Sequence, residues 1–373
     1  MRIVPLGVST IQINDPATDC GNVSEALRES FWNATAIGSQ EIENRKETII
    51  MDIQELETLI LAGGEATPED VLSVFETTAQ EELWECSHRI TARFKPRAFD
   101  FCAIVNARCG SCSENCKWCA QSAHWHAKCD AHGWIGTEEV VKAAEAAEAN
   151  GAYRFGIVTS GRGQTPAQVE DVCSAVRAIR ERTKIHRCAS LGLVDEDALR
   201  KLKAAGLERI HCNLETAPSR FSALCTTHTA EDKIKTLRLA KSMGFEICSG
   251  GIVGMGESKA ELVEFAFAIK AIEPDSIPLN ILDPIEGTPL GESRFLEMPK
   301  ILDAIAIVRI ANPKTPIRFA GGRRRLSDAD AAKAIYVGIN AGIQGPLLTT
   351  PGSDYDDDRH LAAEAGYVTR REE

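Results

Sequence analysis

The run Cys112-Ser113-Glu114-Asn115-Cys116-Lys117-Trp118-Cys119 carries three cysteines in the spacing C-x3-C-x2-C, with an aromatic residue directly before the last one. Three thiolates placed this closely suit three corners of an iron–sulfur cube. A 4Fe–4S cluster has four irons, so three cysteine ligands leave one iron open. An open iron can bind a small molecule and pass it an electron. The spacing therefore predicts a reactive 4Fe–4S cluster on Cys112, Cys116 and Cys119.

Spacing alone leaves two other interpretations of these thiols open. Cys109 and Cys112, like Cys116 and Cys119, form a C-x2-C pair, which is a zinc-site pattern. Zinc ribbons, however, separate their pairs by about 15–20 residues, and here three residues intervene. A closed cluster of the ferredoxin type needs a fourth cysteine, and the next one, Cys129, follows only ten residues later. The open cluster is favoured over both alternatives.

The composition restricts the partners and the compartment that we expect. The 373-residue chain has a net charge of −12, which argues against nucleic acid or an anionic membrane as a partner. No run reaches the roughly 18–20 apolar residues of a membrane span, and the first residues lack the apolar stretch of a signal peptide. We therefore expect a cytoplasmic protein whose thirteen cysteines are reduced and partly bound to metal.

The alternation of strands and helices predicts the fold. Strand-like runs alternate with capped helices beyond residue 97; one helix follows Thr165-Pro166, and another begins where Ser258 forms a capping box with Glu261. Eight strands with intervening helices predict a parallel (β/α)8 TIM barrel. The expected strands are residues 99–105, 153–159, 186–191, 209–214, 246–252, 276–282, 316–320 and 341–344.

Four segments are expected along the chain. Residues 1–50 are a poorly patterned N-terminal extension, and a disordered tail and a misassigned start codon would each explain it. Residues 51–97 are expected to be a helical segment, in which Thr67-Pro68 begins a helix. Residues 98–367 are expected to form the barrel, and residues 368–373 a C-terminal tail.

Active sites of such barrels lie at the carboxyl ends of the strands and in the loops that follow them. Arg318 lies on a predicted barrel strand, where it could pair with a buried acid such as Glu215 or bind a metal cluster. Chemistry alone favours the ion pair, because a guanidinium is a poor metal ligand. Single thiols such as Cys102, within the first strand, are expected to be packing residues. Read in order, the strand ends carry Cys188, Asn213, Glu215, Cys248, Asn280 and Arg318.

These residues resemble the biotin synthase family of the radical S-adenosylmethionine (SAM) superfamily. The superfamily signature is the cysteine triplet with its aromatic residue, and the resemblance extends over roughly residues 67 to 367. Within the superfamily, this family is indicated above all by Cys188, Cys248 and Arg318 together. The motifs beyond the triplet are Cys188-Ala189-Ser190-Leu191-Gly192, Asn213-Leu214-Glu215-Thr216, Cys225-Thr226-Thr227-His228-Thr229, Cys248-Ser249-Gly250-Gly251, Pro278-Leu279-Asn280, Gly287-Thr288-Pro289-Leu290 and Arg318-Phe319-Ala320-Gly321-Gly322-Arg323.

The resemblance implies an enzyme that converts dethiobiotin to biotin, the last step of biotin synthesis. It implies that an electron reaches the 4Fe–4S cluster, that SAM is cleaved at the open iron, and that the resulting 5′-deoxyadenosyl radical takes hydrogen from dethiobiotin. The carbon radical then acquires sulfur from an auxiliary 2Fe–2S cluster, and a second round closes the ring. Family members hold that auxiliary cluster with residues that match Cys188, Cys248 and Arg318.

The resemblance also implies binding roles and partners. Asn280 is expected to contact dethiobiotin. A reductant such as flavodoxin or ferredoxin is expected to supply electrons, and the enzyme is expected to be a homodimer with no catalytic residues beyond the cofactor ligands. The residues expected to contact SAM are Trp118, Asn213, Glu215, Gly250 and Gly251, the two glycines by letting the ligand approach the backbone closely.

One departure from the family concerns the auxiliary cluster. Well-known members carry a further cysteine ligand on the second strand, where this chain has Gly156. We expect Cys225, on the loop after the fourth strand, to replace it, and three thiolates would suit a cluster larger than 2Fe–2S. The missing thiol keeps open a related radical SAM enzyme that acts on a carbon skeleton without inserting sulfur. An alternative of another class is a non-catalytic iron–sulfur electron carrier.

Overall fold

The computed structural model describes residues 51–94, 98–349, 352 and 354–369. The predicted N-terminal extension, residues 1–50, lies outside these ranges, as do residues 370–373 of the predicted tail. The compact unit to which the described residues belong begins at Met51.

Within the described residues three helices precede the barrel, and capping boxes begin the first two. The Thr67 hydroxyl accepts a hydrogen bond from Asp70 N, and the Asp70 carboxylate accepts one from Thr67 N, while Pro68 occupies the first helical position. Asp52 and Glu55 form the same arrangement one helix earlier. The predicted helical segment therefore consists of α1 (Ile53–Leu61), α2 (Pro68–Thr77) and α3 (Gln80–Phe94).

The barrel wall is built from parallel strands that agree with the predicted positions. They are β1 (Ala98–Arg108), β2 (Arg154–Thr159), β3 (His186–Ser190), β4 (Arg209–His211), β5 (Glu246–Cys248), β6 (Gly251–Val253), β7 (Ile277–Ile281), β8 (Ile317–Phe319) and β9 (Ala341–Gln344). Helices follow the strands along the chain, as α4 (Thr137–Ala149), α5 (Pro166–Arg182), α6 (Glu196–Ala205), α7 (Pro218–Leu224), α8 (Ala230–Ser242), α9 (Lys259–Lys270), α10 (Met298–Ala311), α11 (Asp328–Val337) and α12 (Tyr355–Glu364).

The strand order shows how the wall closes. Hydrogen-bonded neighbours run β5-β4-β3-β2-β1-β9-β8-β7-β6. β5 and β6 are separated by only two residues and together form one strand position of the barrel wall, called a stave below. One bridge joins Cys248 to Ser276 just before β7, and another joins Glu215, beyond β4, to Gly251. With this stave counted once there are eight, and the predicted (β/α)8 barrel is confirmed.

Strand β1 shows how the wall separates its two faces. Phe99, Phe101 and Ala103 are buried in the hydrophobic core. Cys102 and Ile104 alternate with them and line a cavity inside the barrel. The apolar core therefore packs outside the strands, and the interior holds polar and thiol groups together with apolar side chains such as Ile104.

The C-terminal end of the described chain adds one short strand. β10 (Val368–Thr369) pairs in parallel with Ala98 and Phe99 of β1. We predict a tail from residue 368, but two of its residues belong to the sheet. A strand of two residues has no periodicity from which it could be predicted.

None of the helices within the described ranges is both long and apolar enough to cross a membrane.

Candidate active site

The loop that follows β1 carries the cysteine triplet and folds back on itself. Cys112 N donates to Gln121 O at 3.0 Å, and Ala123 N donates to Cys112 O at 2.8 Å. Cys119 N donates to Cys116 O at 3.1 Å. Cys119 is thereby close enough to Cys112 and Cys116 for the thiol charges to interact. The predicted ligands of the 4Fe–4S cluster share one loop at the carboxyl end of the barrel.

The segment 226–228 holds this loop in place. Asn115 Oδ1 accepts hydrogen bonds from the backbone N–H groups of Thr226 and Thr227, at 2.9 and 3.3 Å. Glu114 Oε2 lies 2.5 Å from His228 Nδ1, and both side chains are buried. Burial alone would raise the pKa of the Glu114 carboxyl, but hydrogen bonds from Thr227 and His228 lower it. Glu114 and Asn115 therefore fix the middle of the triplet loop to the segment 226–228.

Cys225 lies against the triplet and not beside the other predicted auxiliary ligands. Its Sγ is 3.7 Å from Sγ of Cys116 and 3.4 Å from Nδ1 of His228. The hydrogen bond from Cys116, aided by His228, lowers the pKa of Cys225 to about 3, and the same bond raises the pKa of Cys116. We predict Cys225 as a ligand together with Cys188 and Cys248, but the structure does not bring the three together.

The course of α7 is the reason for this placement. The helix ends at the triplet loop, where Lys117 N donates to Leu224 O at 3.0 Å. Phe221 and Trp118 pack around Cys225. Cys225 is thereby enclosed beside the first cluster site, and it is not among the described residues that line the interior cavity.

The interior cavity has a volume of about 330 Å³ and joins the two groups of predicted ligands. Trp118 and Cys119 line it from the triplet loop. Cys188 of β3 and Cys248 of β5 line it from the barrel wall, and Gly156 of β2 lies between β1 and β3. One cavity therefore connects the triplet loop to the predicted auxiliary thiols.

The two interior thiols lie among cationic groups. Burial raises the pKa of Cys188 to about 12, and Cys248 adds to the rise. Burial would also raise the pKa of Cys248, but His211, Arg209 and Arg318 lower it to about 7. The cationic groups thus favour the thiolate of Cys248, which is the form that binds iron, whereas at Cys188 burial outweighs Arg209 and Arg154.

Arg318 is buried and held by four hydrogen bonds. Its Nη2 lies 3.1 Å from Asp100 Oδ2, and its Nη1 donates to the carbonyl oxygens of Asp100 and Gly342 at 3.0 and 3.1 Å. Its Nε donates to Ser276 Oγ at 3.1 Å. The ion pair that chemistry favours is present, but its acid is Asp100 and not Glu215. The guanidinium is therefore fixed in orientation at the wall of the cavity.

Glu215 presents an unsatisfied acceptor at the cavity. Within the described chain its Oε2 is buried without a hydrogen-bond partner, and its backbone has φ +74°. A non-glycine residue in this left-handed region is strained, and such strain is found at functional sites. The neighbouring Asn213 lines the same cavity and accepts a hydrogen bond from Gly250 N at 3.1 Å. A ligand with a donor group would satisfy Glu215.

Gly250 and Gly251 are required by the approach of two backbone segments. A Cβ on Gly250 would lie 1.9 Å from Pro278 O, and a Cβ on Gly251 would lie 2.5 Å from Glu215 O. We predict that these glycines let a ligand approach the backbone. In the structure the segments that approach them are those at Pro278 and Glu215, and a role of the two glycines in binding SAM stays a prediction.

Asn280 joins three parts of the wall while it faces the cavity. Its Oδ1 accepts a hydrogen bond from Gly321 N at 2.8 Å, and its Nδ2 donates to Gly251 O at 3.0 Å. The predicted substrate residue is therefore held in a fixed orientation by both of its amide atoms.

Sequence reasoning missed two features of the cavity. Cys102, predicted to be a packing residue, lines it. Arg154 and Arg209 also line it and share one carboxylate, with Arg154 Nη2 and Arg209 Nε at 2.8 and 2.9 Å from Glu246 Oε2. Strand alternation was the signal that could have found Cys102, because its two neighbours on β1 are apolar and face the other side.

Comparison with known proteins identifies the family. A model of the Radical SAM superfamily matches residues 108–269, and one of the Biotin and Thiamin Synthesis associated domain matches residues 278–368. A biotin synthase of Porphyromonas gingivalis is 44% identical over 315 residues, which cover 84% of this chain and 96% of the relative. The chain belongs to the biotin synthase family. A second biotin synthase, of Parabacteroides distasonis, is 42% identical and covers 85% of this chain and 97% of its own length.

Solved structures share the fold of this biotin synthase family member at low identity. Methylornithine synthase aligns with a TM-score of 0.69 at 17% identity, over 85% of this chain and 98% of its own. The [FeFe]-hydrogenase maturase HydG of Carboxydothermus hydrogenoformans aligns with a TM-score of 0.72 at 14% identity, over 85% of this chain and 79% of its own. These likenesses show the fold alone.

Proposed function

We propose that this chain is a radical SAM enzyme that inserts sulfur into dethiobiotin to form biotin. The observation that carries the proposal is one cavity lined both by Cys119 of the triplet and by the interior thiols of Cys188 and Cys248. The relatives named biotin synthase, which cover most of this chain, support the same reaction. A related enzyme without sulfur insertion would not need the interior thiols, and an electron carrier would not need the cavity.

The triplet fits a 4Fe–4S cluster with one open iron. Cys112, Cys116 and Cys119 lie on one loop and are partly exposed, and three ligands leave a coordination position free. When bound, the cluster supplies the electron that cleaves SAM. The chain's own contribution is rigidity: Glu114 and Asn115 tie the loop to the segment 226–228, so the ligand geometry is set before the cluster binds.

The residues at the cavity wall fit SAM. Glu215 offers a buried carboxylate oxygen, which can accept a hydrogen bond from the amino group or from a ribose hydroxyl. Asn213 lines the cavity beside it, and Trp118 adds an aromatic surface. We assign these three residues to SAM, which places the ligand next to Cys119.

The interior thiols fit an auxiliary iron–sulfur cluster that serves as the sulfur donor. Cys188 and Cys248 would ligate it as thiolates, and Arg318, held in one orientation, is the ligand that the family resemblance implies. Nε of Arg154 is buried without a hydrogen-bond partner among the described residues, and an anionic group in the cavity would satisfy it. The resemblance favours two irons, and an iron count separates that cluster from a larger one.

The cavity also fits the demands of radical chemistry. A primary carbon radical attacks almost any C–H or S–H bond, so it must form in a closed space beside its target. Asn280, fixed by Gly321 and Gly251, is the proposed contact for dethiobiotin. Its rigidity would hold the substrate between the triplet and the interior thiols.

Two further parts of the proposal concern partners. A small electron carrier such as flavodoxin or ferredoxin would deliver the electrons to the triplet loop, and two chains would form a homodimer. Both rest on the family resemblance. Light scattering on the reconstituted protein tests the dimer, and exchange of dithionite for a reduced flavodoxin tests the electron carrier.

The test is an anaerobic assay on reconstituted protein with SAM, dithionite and dethiobiotin. We expect the parent protein to form both 5′-deoxyadenosine and biotin. Cys119→Ala should form neither, and Cys188→Ala should form 5′-deoxyadenosine without biotin. Cys173→Ala, a change at a buried helical cysteine, should behave like the parent. A parent protein that forms 5′-deoxyadenosine but no biotin would overturn the proposal.

A further inference from the structure

Gly156 leaves a gap beside one of the auxiliary thiols. It is paired in register with Cys188 across β2 and β3, and a Cβ on Gly156 would lie 4.0 Å from the Cβ of Cys188. A side chain there would face the same part of the cavity, but glycine offers no donor. Cys188, Cys248 and Arg318 alone make three ligands, whereas clusters of two or four irons are usually held by four.

The strand next to Gly156 supplies a thiol to the same space. β1 pairs with β2 so that Cys102 lies opposite Arg154, and Ile104 lies opposite Gly156. Residues two apart on a strand share a face, so Cys102 points inward from the stave adjacent to the gap. Besides Cys119 of the triplet loop, the described thiols that line the cavity are those of Cys102, Cys188 and Cys248.

The charges around Cys102 match those around the other two thiols. Cys102 is close enough to Arg318, Asp100 and Cys248 for their charges to interact, and Cys188 interacts with Cys102 in the same way. Burial raises the pKa of Cys102, and the guanidinium of Arg318 opposes the rise. Cys102 therefore shares one electrostatic environment with the predicted ligands.

Packing alone does not explain where Cys102 lies. Cys86 and Cys173 sit on helices in the apolar core and are fully enclosed. Cys102 is partly exposed although it lies in the middle of a barrel strand, and the surface it exposes lines the cavity. A thiol needed only to fill the core would face the side on which Phe101 and Ala103 are buried.

We propose that Cys102 is the third thiolate ligand of the auxiliary cluster and takes the place of the thiol that Gly156 cannot provide. With Cys188, Cys248 and Arg318 it completes four ligands, from β1, β3, β5 and β8. The inference rests on the proposed function, because it requires a second cluster in the cavity. Cys225, which lies beside Cys116, is not a member of this set.

Iron binding tests the inference without relying on activity. In a background that carries Cys112→Ala, Cys116→Ala and Cys119→Ala, the only iron left after anaerobic reconstitution is auxiliary iron. Iron and sulfide per chain and the visible absorption spectrum are measured in this background with and without Cys102→Ala. Cys173→Ala serves as the matched control, and Cys102→Ser keeps the size of the side chain.

A rescue variant separates ligand loss from misfolding. Gly156→Cys restores a thiol beside Cys188, and its Cβ would lie 3.2 Å from Ile104 Cγ2, so the isoleucine must shift by a few tenths of an ångström. In the triplet-free background we expect Cys102→Ala and Cys102→Ser to lose most of the iron and sulfide. Cys173→Ala should keep both, and Cys102→Ala combined with Gly156→Cys should recover them.

The outcomes distinguish this inference from the proposed function. Auxiliary iron that is lost with Cys188→Ala but fully retained with a folded Cys102→Ala or Cys102→Ser would overturn the inference and leave the proposed function standing. A triplet-free protein that binds no iron would overturn both. Circular dichroism establishes that each variant is folded, and failure of Gly156→Cys to restore iron to a folded Cys102→Ala protein would also count against the ligand role.

Discussion

The thiols of Cys116 and Cys225 lie 3.7 Å apart although they come from loops more than a hundred residues apart in the chain. As an iron ligand, Cys116 would carry no proton, so the hydrogen bond that chiefly lowers the pKa of Cys225 would be lost and Cys225 would become the donor of the pair. Hydrogen bonds to the sulfurs of an iron–sulfur cluster help to set its reduction potential. Cys225 would therefore belong to the surroundings of the proposed 4Fe–4S cluster.

Replacement of Cys225 with Ala should lower the reduction potential of the 4Fe–4S cluster and leave its iron content unchanged. Without the S–H donor, the added negative charge of the reduced cluster is less stabilised. An anaerobic redox titration followed by electron paramagnetic resonance measures the change, with Cys212→Ala, at a buried core residue, as the control. An unchanged potential would contradict the role of Cys225, as would loss of the cluster.

Replacement of Glu215 with Gln should weaken SAM binding about 10- to 100-fold, the loss expected for one hydrogen bond to a charged group. Gln keeps the size of the side chain but removes its charge, so the backbone conformation is retained. Anaerobic calorimetry on reconstituted protein measures the dissociation constant. Glu292→Gln, at an exposed position, is the control, and equal affinities for all three proteins would remove Glu215 from the site.

Asp100→Asn should reduce the free energy of unfolding of the cluster-free protein by about 3–5 kcal/mol, because it leaves the buried Arg318 guanidinium without its carboxylate. Denaturant unfolding measures the change. Glu196→Gln disrupts the exposed ion pair with Arg200, whose side chains are about 60% accessible, and should cost less than about 1 kcal/mol. Similar losses in the two variants would mean that the interior pair contributes no more than a surface one.

Gly250→Ala should destabilise the cluster-free protein by about 1–3 kcal/mol, because the added methyl group would collide with the carbonyl oxygen of Pro278. Thermal unfolding in the absence of SAM measures the change. Gly133→Ala, where a Cβ would meet nothing within 4 Å, is the control. If Gly250→Ala unfolds like the parent and only SAM binding suffers, the glycine serves the ligand and not the packing.

The fold could be predicted because its signals are local. The capping box at Ser258 and Glu261 and the strand-like runs each depend on neighbouring residues, and their order is enough to indicate a parallel barrel. The triplet could be found in the same way, since its three thiols lie on one loop. The tenth strand could not, because Val368 and Thr369 gain their partners only from β1.

The rest of the site depends on distances between loops and strands that no local pattern fixes. Cys225 follows the fourth strand, and Cys188 and Cys248 belong to the strands on either side of it. This order predicts that the three thiols lie together, but α7 ends at the triplet loop and places Cys225 there. We predict Cys102 to be a packing residue because single buried thiols usually are. Strand alternation indicates that it faces away from Phe101, but the thiols that share its side of the wall are known only from the register of the strands.

The most direct test of the account follows sulfur from the protein to the product. The parent protein is reconstituted anaerobically with iron and ³⁴S-labelled sulfide, freed of unbound sulfide, and given SAM, dithionite and unlabelled dethiobiotin. Mass spectrometry of the first biotin formed should find the heavy isotope, because the proposed auxiliary cluster in the cavity would donate the sulfur. Unlabelled biotin, or 5′-deoxyadenosine without biotin, would contradict an enzyme that inserts sulfur from its own auxiliary cluster.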